Sequence, residues 1–136
     1  MVVKRPWENK HGRKTSMEVL GMSIYHCSIK NISRSSGRSA VACAAYRSGE
    51  ELEDLETGIT HDYRKKTGIA FAEIFLCKNA PERFQNREEL WNEVEKIEKA
   101  ADARLAREIE VAIPRELSLE EMKNLVAGYA KMLTEE

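Results

Sequence analysis

The sequence predicts an α+β fold with a mainly antiparallel sheet and helices packed on one face of it. Several short β-branched or alternating segments, interrupted by three helical patterns, give the order β-α-β-β-β-α-β-α. The 136 residues suit one domain, and a hydrophobic content of 42% is enough for a core. No apolar run approaches the roughly 18 residues that a membrane-spanning helix needs.

The first two elements are a strand and a helix of small residues. Segment 23–32 is rich in β-branched and aromatic residues, which predicts a strand that ends at the loop R-S-S-G-R. The run S-A-V-A-C-A-A-Y-R-S-G is rich in Ala and favours a helix. Ser39 is suited to cap the start of this helix, and Gly49 is suited to the left-handed position after its end.

The middle of the chain predicts a hairpin and then a buried strand. Within 50–67, the turn signal Glu56-Thr57-Gly58 separates two short polar segments, as expected of a hairpin. Segment 69–77 is apolar on both faces, which is typical of a central strand.

A helix and an alternating strand follow. Asn86, with Glu89 three residues later, is a variant of the capping box, and we expect the apolar face of its helix to run as far as Leu105. Segment 107–114 alternates strictly between apolar and polar positions, which predicts a half-buried strand that Pro114 ends.

The two ends of the chain differ in character. Residues 1–21 are polar and basic, and their few apolar residues follow no regular spacing. We therefore expect a flexible leader followed by a domain from residue 22 to 136. Ser118 and Glu121 form the capping box of a last helix. Its apolar stripe contains Met122, Leu125, Val126, Tyr129 and Met132.

Charge and cysteine content limit the possible functions. Residues 1–49 contain nine Lys and Arg against two Asp and Glu, whereas residues 50–136 contain thirteen against twenty-one. The basic end indicates a polyanion partner, although a dipolar protein without such a partner fits the pattern equally well. The cysteines have no C-x-x-C spacing and are odd in number, so they predict neither a disulfide scaffold nor a zinc ribbon. The expected location is therefore the cytoplasm.

Segment 23–49 contains the candidate nucleic-acid-binding residues Lys30, Arg34, Arg38 and Arg47. Guanidinium groups are suited to bidentate contact with phosphate. Composition alone favours the other interpretation, a buried helix with a solvated Arg/Ser loop. The stretch H-D-Y-R-K-K (61–66) could also contact phosphate, but a solvated turn is the preferred interpretation.

Three further side chains could carry chemistry. Tyr46 is either a packed aromatic residue or a nucleophile, and attack by a phenol needs nearby cations or a metal ion to favour phenoxide. Glu108 and Glu110 lie on one face of a strand. They could hold a divalent cation, orient its ligands or act as a base, but a solvent-facing polar edge is the simpler interpretation. The histidines show no spacing typical of a zinc site.

Three separated motifs, in this order, resemble the MobA/MobL family of relaxases, which are plasmid mobilisation nucleases of the HUH type. They are a Tyr-His strand followed by S-R-S-S-G-R-S-A, a hairpin E-D-x-x-T-G…H-D-Y, and the strand L-A-R-E-I-E-V-A-I-P-R-E-L. The likeness extends from about Ser23 to Leu133. It implies a five-stranded antiparallel sheet with helices behind it.

The resemblance also implies a function. Family members nick one strand of a plasmid transfer origin for conjugative mobilisation, and a tyrosine attacks the scissile phosphate to leave a 5′-phosphotyrosine link. Matching of the motif assigns that nucleophile to Tyr46, with Glu108 and Glu110 facing the active site and helping to arrange a metal centre. The implied partners are the single-stranded origin DNA and accessory mobilisation proteins.

One departure from the family pattern concerns the metal. The resemblance implies a divalent cation, Mg²⁺ or Mn²⁺, held by a His-hydrophobic-His pair on a strand beyond the last helix. The sequence ends at Glu136 without any His-x-His, so we expect an incomplete domain that is inactive alone. The alternatives are a non-catalytic DNA-binding fragment and a degenerate remnant of a relaxase.

Overall fold

The computed structural model describes residues 2–4, 26–114 and 116–134. The strands within these ranges are β1 (Val2–Lys4), β2 (Cys27–Ser33), β3 (Glu51–Asp54), β4 (Ile59–Asp62), β5 (Ile69–Ala72) and β6 (Arg104–Val111). The helices are α1 (Ala40–Ser48), α2 (Arg87–Ile97) and α3 (Leu119–Thr134). None of the helices in these ranges is long and apolar enough to cross a membrane.

The described strands pair only antiparallel, β1 with β5, β2 with β6 and β3 with β4. The predicted α+β class is confirmed, but these strands form three separate two-stranded ladders instead of one sheet. One reason is visible at the edge of β3 that faces away from β4. Side chains of α2 accept hydrogen bonds from backbone N–H groups at this edge, so these groups are not available to another strand. The Glu53 N–H donates to Glu88 Oε2 at 2.8 Å, and the Leu55 N–H donates to Asn92 Oδ1 at 2.9 Å.

Helix α1 begins and ends at the predicted residues. The Ser39 hydroxyl oxygen accepts from the Ala42 N–H at 3.3 Å, and Gly49 adopts a left-handed φ of 71° with its N–H donating to the Ala45 carbonyl. The left-handed conformation and a close approach both require glycine at position 49, because a Cβ there would lie 2.6 Å from Ile69 Cδ1.

The core lies on two sides of α1. Ala40 packs with Ile32, Ala103 and Leu105 of the β2–β6 region. Val41 and Ala45 pack with Leu52 of the hairpin, and Trp91 of α2 contacts both groups. The small residues of α1 therefore let it lie close to both ladders and fix its position between them.

Three predicted boundaries are wrong, each for a tertiary reason. Helix α2 ends at Ile97 and does not reach Leu105, because Leu105 belongs to β6 and is buried in the core. Strand β5 stops at Ala72 instead of residue 77, since β1 offers partners only for residues 69–72. Strand β6 spans 104–111, not 107–114, because it pairs with β2 from Ser33 back to Cys27.

The predicted leader is only partly within the described residues. Its residues 2–4 form β1, a strand that the sequence pattern did not predict, while residues 5–21 lie outside the described ranges. The first residues of the predicted strand 23–32 also lie outside them.

The capping box of α3 is confirmed, since the Ser118 N–H donates to Glu121 Oε2 at 2.8 Å and the Glu121 N–H donates to Ser118 Oγ at 3.3 Å. The Ser118 hydroxyl also donates to Glu121 Oε2 at 2.7 Å, and this hydrogen bond and that from the Ser118 N–H hold the pKa of Glu121 below its usual value. Of the predicted apolar stripe, Met122 is buried, but Leu125, Tyr129 and Met132 are exposed.

Candidate active site

Tyr46 lies in the last turn of α1 and is 46% exposed. Three groups surround its ring. The Tyr63 ring approaches edge-on, with centroids 5.3 Å apart and planes at 87°. Lys66 Nζ lies 3.1 Å from the centroid of the Tyr46 ring and donates a hydrogen bond to the Tyr46 carbonyl. The Arg47 guanidinium lies 5.8 Å from the same centroid.

Arg47 connects this helix end to the two glutamates of β6. Its Nη2 forms an ion pair with Glu108 Oε1 and lies 3.8 Å from Glu110 Oε2. The two glutamates, which the sequence placed on one face of a strand, thus both lie near Arg47, the residue that follows Tyr46. The structure brings together all three predicted catalytic residues through Arg47.

Lys30 belongs to the same neighbourhood of the sheet. It is exposed and is the register partner of Glu108 in the antiparallel β2–β6 ladder. Residues that are directly opposite in such a ladder project from the same face. Lys30 therefore lies on the face that carries the glutamates.

Arg34 and Arg38 lie at the other end of α1. The Arg34 guanidinium donates to both carboxylate oxygens of Glu56 at 2.9 Å and lies 3.0 Å from Glu95 Oε2. It also donates to the backbone carbonyls of Glu95 and Glu98. The hydrogen bond to Glu56 raises the pKa of Arg34 above its usual value. The structure does not bring Arg34 to Tyr46, and these contacts hold its loop against α2.

Arg38 is exposed and precedes the cap of α1. Its charge acts on Cys43, one turn into the helix. Burial raises the pKa of the Cys43 thiol, and the charges of Arg38 and Arg47 act against this rise. The positive charges of Arg38 and Arg47 thus both act at Cys43, in the middle of α1.

The described residues do not fit a metal ion by themselves. Within the described ranges, no three His, Cys, Asp or Glu side chains lie close enough to hold one. Glu108 and Glu110, which the resemblance expects to help arrange a metal centre, contact the Arg47 guanidinium. His26 is exposed, and His61 lies on β4, while His11 is outside the described residues. No catalytic step is therefore assigned to a metal ion.

Two acidic residues position α1 but were not singled out from the sequence. Asp54 is 2% exposed and accepts from the Ser39 hydroxyl at 2.8 Å and from the backbone N–H groups of Glu56 and Thr57. Glu95 is 5% exposed and accepts from the Ala40 N–H while pairing with Arg34. Asp54 lies in the E-D-x-x-T-G motif, but its role as an anchor for the helix cap has no local signal. Glu95 carries no sequence signal at all.

Sequence reasoning also missed Tyr63 and Lys66. Both belong to H-D-Y-R-K-K, for which a solvated turn was the preferred interpretation, and the structure places both against Tyr46. The sequence did place this motif at the end of the predicted hairpin. Because β4 runs antiparallel to β3, which follows α1, the residues after β4 lie near the end of α1.

Comparisons with known proteins identify the family of the chain. The model of the MobA/MobL family matches residues 38–136. The chain is 47% identical over 114 residues to the mobilization protein MobL of Acidithiobacillus ferridurans, covering 84% of the chain and 29% of that protein. It is 38% identical over 120 residues to the conjugal transfer protein TraA of Rhizobium radiobacter, covering 81% of the chain and 11% of that protein.

A solved structure shows the same fold. It is described as the molecular basis of vancomycin resistance transfer in Staphylococcus aureus, and it matches with a TM-score of 0.76 and 32% identity over 80% of this chain and 56% of that one. The chain spans less than a third of the length of the two curated relatives above. Because the family match covers well over half of its residues, the chain belongs to the MobA/MobL family.

Proposed function

We propose that the chain supplies the nucleophile-bearing part of a relaxase that nicks one strand of DNA at a plasmid transfer origin. Its relatives are mobilisation and conjugal transfer proteins, which supports a role in plasmid mobilisation. The observation that carries the finer proposal is the meeting of Tyr46, Lys66, Arg47 and Glu108 at the exposed end of α1. We further propose that it works in the cytoplasm, where its DNA substrate is found.

In the proposed reaction, Tyr46 attacks the scissile phosphodiester. The bond between Tyr46 Oη and phosphorus forms as the bond from phosphorus to the 3′ oxygen breaks. The phenol proton passes to solvent, and the leaving 3′ oxygen takes up a proton to become a hydroxyl. The 5′-phosphotyrosine link retains a phosphodiester bond, so attack by a 3′ hydroxyl can reverse the reaction and rejoin the strand.

The side chains around Tyr46 are suited to this step. The exposed ring is accessible to a single DNA strand. The Arg47 guanidinium, 5.8 Å from the centroid of the Tyr46 ring, is proposed to supply positive charge beside the scissile phosphate and so to stabilise the transition state. Lys30 and Arg38, both exposed, extend the proposed contact with the DNA backbone. Arg34 is not part of this proposed contact set, because it lies at the opposite end of α1 from Tyr46 and its guanidinium is bound by two carboxylates and two backbone carbonyls.

A divalent cation, Mg²⁺ or Mn²⁺, stays an expectation for the complete family domain, as do accessory mobilisation proteins as partners. When bound, such an ion would polarise the phosphate oxygens. The described residues are proposed to bind DNA, hold the nucleophile and supply positive charge beside it.

The test uses a fusion in which this chain replaces the matching segment of the Acidithiobacillus ferridurans MobL, called here the MobL fusion. Supercoiled plasmid carrying the transfer origin of the chain's own replicon is incubated with it in Mg²⁺ or Mn²⁺. We expect relaxation by the MobL fusion and much less by the 136-residue chain alone. Tyr46→Phe should abolish relaxation, because the nucleophilic oxygen is lost.

Tyr129→Phe is the matched control for this test, since Tyr129 is also exposed but lies on α3. It should relax the plasmid as the unsubstituted fusion does. Relaxation by the Tyr46→Phe variant would refute the assigned nucleophile.

A second candidate function is DNA binding without cleavage. It is favoured by the exposed cations Lys30 and Arg38, which could contact phosphates without any reaction at Tyr46. Gel shifts of the 136-residue chain with single-stranded origin DNA at several salt concentrations test it. If several cations contact phosphates, the logarithm of the affinity falls steeply with the logarithm of salt concentration. No shift at low salt would eliminate this function.

A further inference from the structure

The segment H-D-Y-R-K-K (61–66) forms an ordered turn in the structure. The Tyr63 N–H donates to the Glu50 carbonyl at 3.1 Å, and the Lys66 N–H donates to the Tyr63 carbonyl at 2.9 Å. Arg64 donates through its backbone N–H and its Nε to Asp62 Oδ1, both at 3.0 Å. These hydrogen bonds fix the backbone from which the side chains of Tyr63 and Lys66 extend.

The cations of this segment are used differently. Arg64 Nη2 pairs with Glu51 at 2.8 Å and with Asp62 at 2.9 Å, so its charge is directed at the hairpin. Lys65 is exposed. Lys66 is half-buried and contacts Tyr46 twice, through the ring face and through the backbone carbonyl. Lys66 is thus the cation of this segment that reaches the candidate nucleophile.

The double contact constrains the Tyr46 ring. A helix fixes the Cα–Cβ direction of a side chain, but an exposed tyrosine at a helix end can still adopt more than one staggered rotamer. The Lys66 ammonium is tied to the Tyr46 carbonyl and lies against the ring face, while Tyr63 lies edge-on to the same ring. A cation over a ring face is electrostatically attracted to it, so this arrangement favours one ring orientation.

We propose that Lys66 is a positioning residue that holds the Tyr46 ring in the orientation from which its oxygen attacks phosphorus. This inference rests on the proposed nicking function, because it assigns a role to a residue that acts through the nucleophile. It also gives the H-D-Y-R-K-K motif a function beyond that of a solvated turn. Correct orientation of a reacting group accelerates its reaction without requiring tighter binding of the substrate.

The geometry is tested first without any activity, by NMR of the 136-residue chain. The ε-methylene protons of Lys66 should resonate clearly upfield of those of Lys65, because the Tyr46 ring current shields them. The shift should persist in Tyr46→Phe, which keeps a ring, and disappear in Tyr46→Leu. Equal shifts for the two lysines in the unsubstituted chain would overturn the proposal.

The kinetic test measures covalent adduct formation by the MobL fusion on single-stranded origin DNA. Lys66→Met keeps the length of the side chain but removes its charge. We expect it to lower the rate constant at saturating DNA about ten- to a hundredfold, since a misplaced reacting group loses rate on this scale. The dissociation constant of the DNA should change by much less. Lys66→Arg, which restores a cation over the ring, should recover most of the rate.

Lys65→Met is the matched control, because it removes the same charge one residue away and should leave the rate constant at saturating DNA unchanged. A higher dissociation constant for DNA with an unchanged rate constant in Lys66→Met would overturn the proposal, since Lys66 would then be only a DNA contact. Cleavage at the normal rate by Lys66→Met would refute the positioning role of Lys66 and would leave the proposed nicking function in place. No adduct with the unsubstituted fusion refutes the nicking function, and with it this role.

Discussion

The two ends of α1 both carry positive charge but place it in different surroundings. At the N-terminal end, Arg34 is surrounded by the carboxylates of Glu56 and Glu95 and by backbone carbonyls. At the C-terminal end, Arg47 is paired with Glu108, but it and Lys66 both lie beside an exposed aromatic ring. The difference shows that Arg34 and Arg47, two described cations of the basic segment, do not belong to one binding surface. A folded chain can commit an arginine to internal ion pairs, and its charge then contributes little to an external site.

The largest expected effect comes from breaking the network at the N-terminal end. Glu95→Ala removes the buried carboxylate that accepts from the Ala40 N–H and pairs with Arg34. We expect a loss of about 3 kcal/mol in the free energy of unfolding, the lower end for a broken buried pair, because Glu56 still contacts Arg34. Urea denaturation followed by circular dichroism measures it.

The control for this prediction is Glu93→Ala on the same helix, where the contact with Lys96 is long at 4.0 Å. Such a pair contributes less than about 1 kcal/mol. Similar losses in the two variants would show that the N-terminal network does not stabilise the fold, and the contrast between the two ends of α1 would be lost.

A smaller effect is expected at the C-terminal end, where a tight turn follows Tyr46. Gly49 and Gly58 have nearly the same left-handed φ, 71° and 69°. A Cβ at Gly49 would lie 2.6 Å from Ile69 Cδ1, whereas a Cβ at Gly58 would have no heavy atom within 4 Å. Gly58→Ala should cost about 1 kcal/mol for backbone strain. Gly49→Ala should cost roughly 1–2 kcal/mol more, because Ile69 must move.

The difference between the free energies of unfolding of these two alanine variants isolates the contact with Ile69, since the backbone strain is common to both. An equal cost in the two variants would mean that Ile69 yields freely, and the end of α1 would then be less firmly fixed than the structure indicates.

The smallest expected effect concerns the turn that carries Lys66. Hydrogen bonds from Arg64 lower the pKa of the Asp62 carboxyl to about 2. A carboxyl whose pKa is lowered by folding adds stability above its unfolded pKa and loses it as the pH falls through the folded value. The contribution of Asp62 should therefore be complete above about pH 4 and lost towards about pH 2.

The measurement is the pH dependence of unfolding in the unsubstituted chain and in Asp62→Asn. The difference in stability between the two should shrink as the pH falls from about 4 to about 2. A constant difference over this interval would show that the Asp62–Arg64 contact does not order the turn.

The fold was predictable where local chemistry decides it. Ser39, Gly49 and Ser118 act on backbone groups within four residues of themselves, so their roles could be recognised from spacing alone. The extents of α2 and β5 were not predictable in this way. They depend on Leu105 joining a strand and on residues 2–4 pairing with β5, and both involve distant parts of the chain.

The candidate site, like the fold, was predictable only where nearby residues in the sequence indicate it. Tyr46, Glu108 and Glu110 were proposed as site residues from the resemblance to a known family. Lys66 contacts Tyr46 across 20 residues of sequence, and Glu95 contacts Ala40 across 55. Neither contact leaves a periodic or local pattern, so only the folded structure could identify them. Arg34 is an opposite case, in which the residue type alone predicted a contact with phosphate. In the folded chain its guanidinium instead pairs with the carboxylates of Glu56 and Glu95.

The cover that α2 provides for the edge of β3 has a consequence for synthesis on the ribosome. Glu88 and Asn92, which bond that edge, lie 35 and 37 residues after their partners Glu53 and Leu55. At a synthesis rate of about 5–20 residues per second, the covering side chains are added roughly 2–7 s after the strand. During this interval the unbonded strand edge can pair with another chain, a hazard that ends when α2 docks. The hairpin that leads to Lys66 is thus the part of the nascent protein that benefits most from protection until α2 has been made.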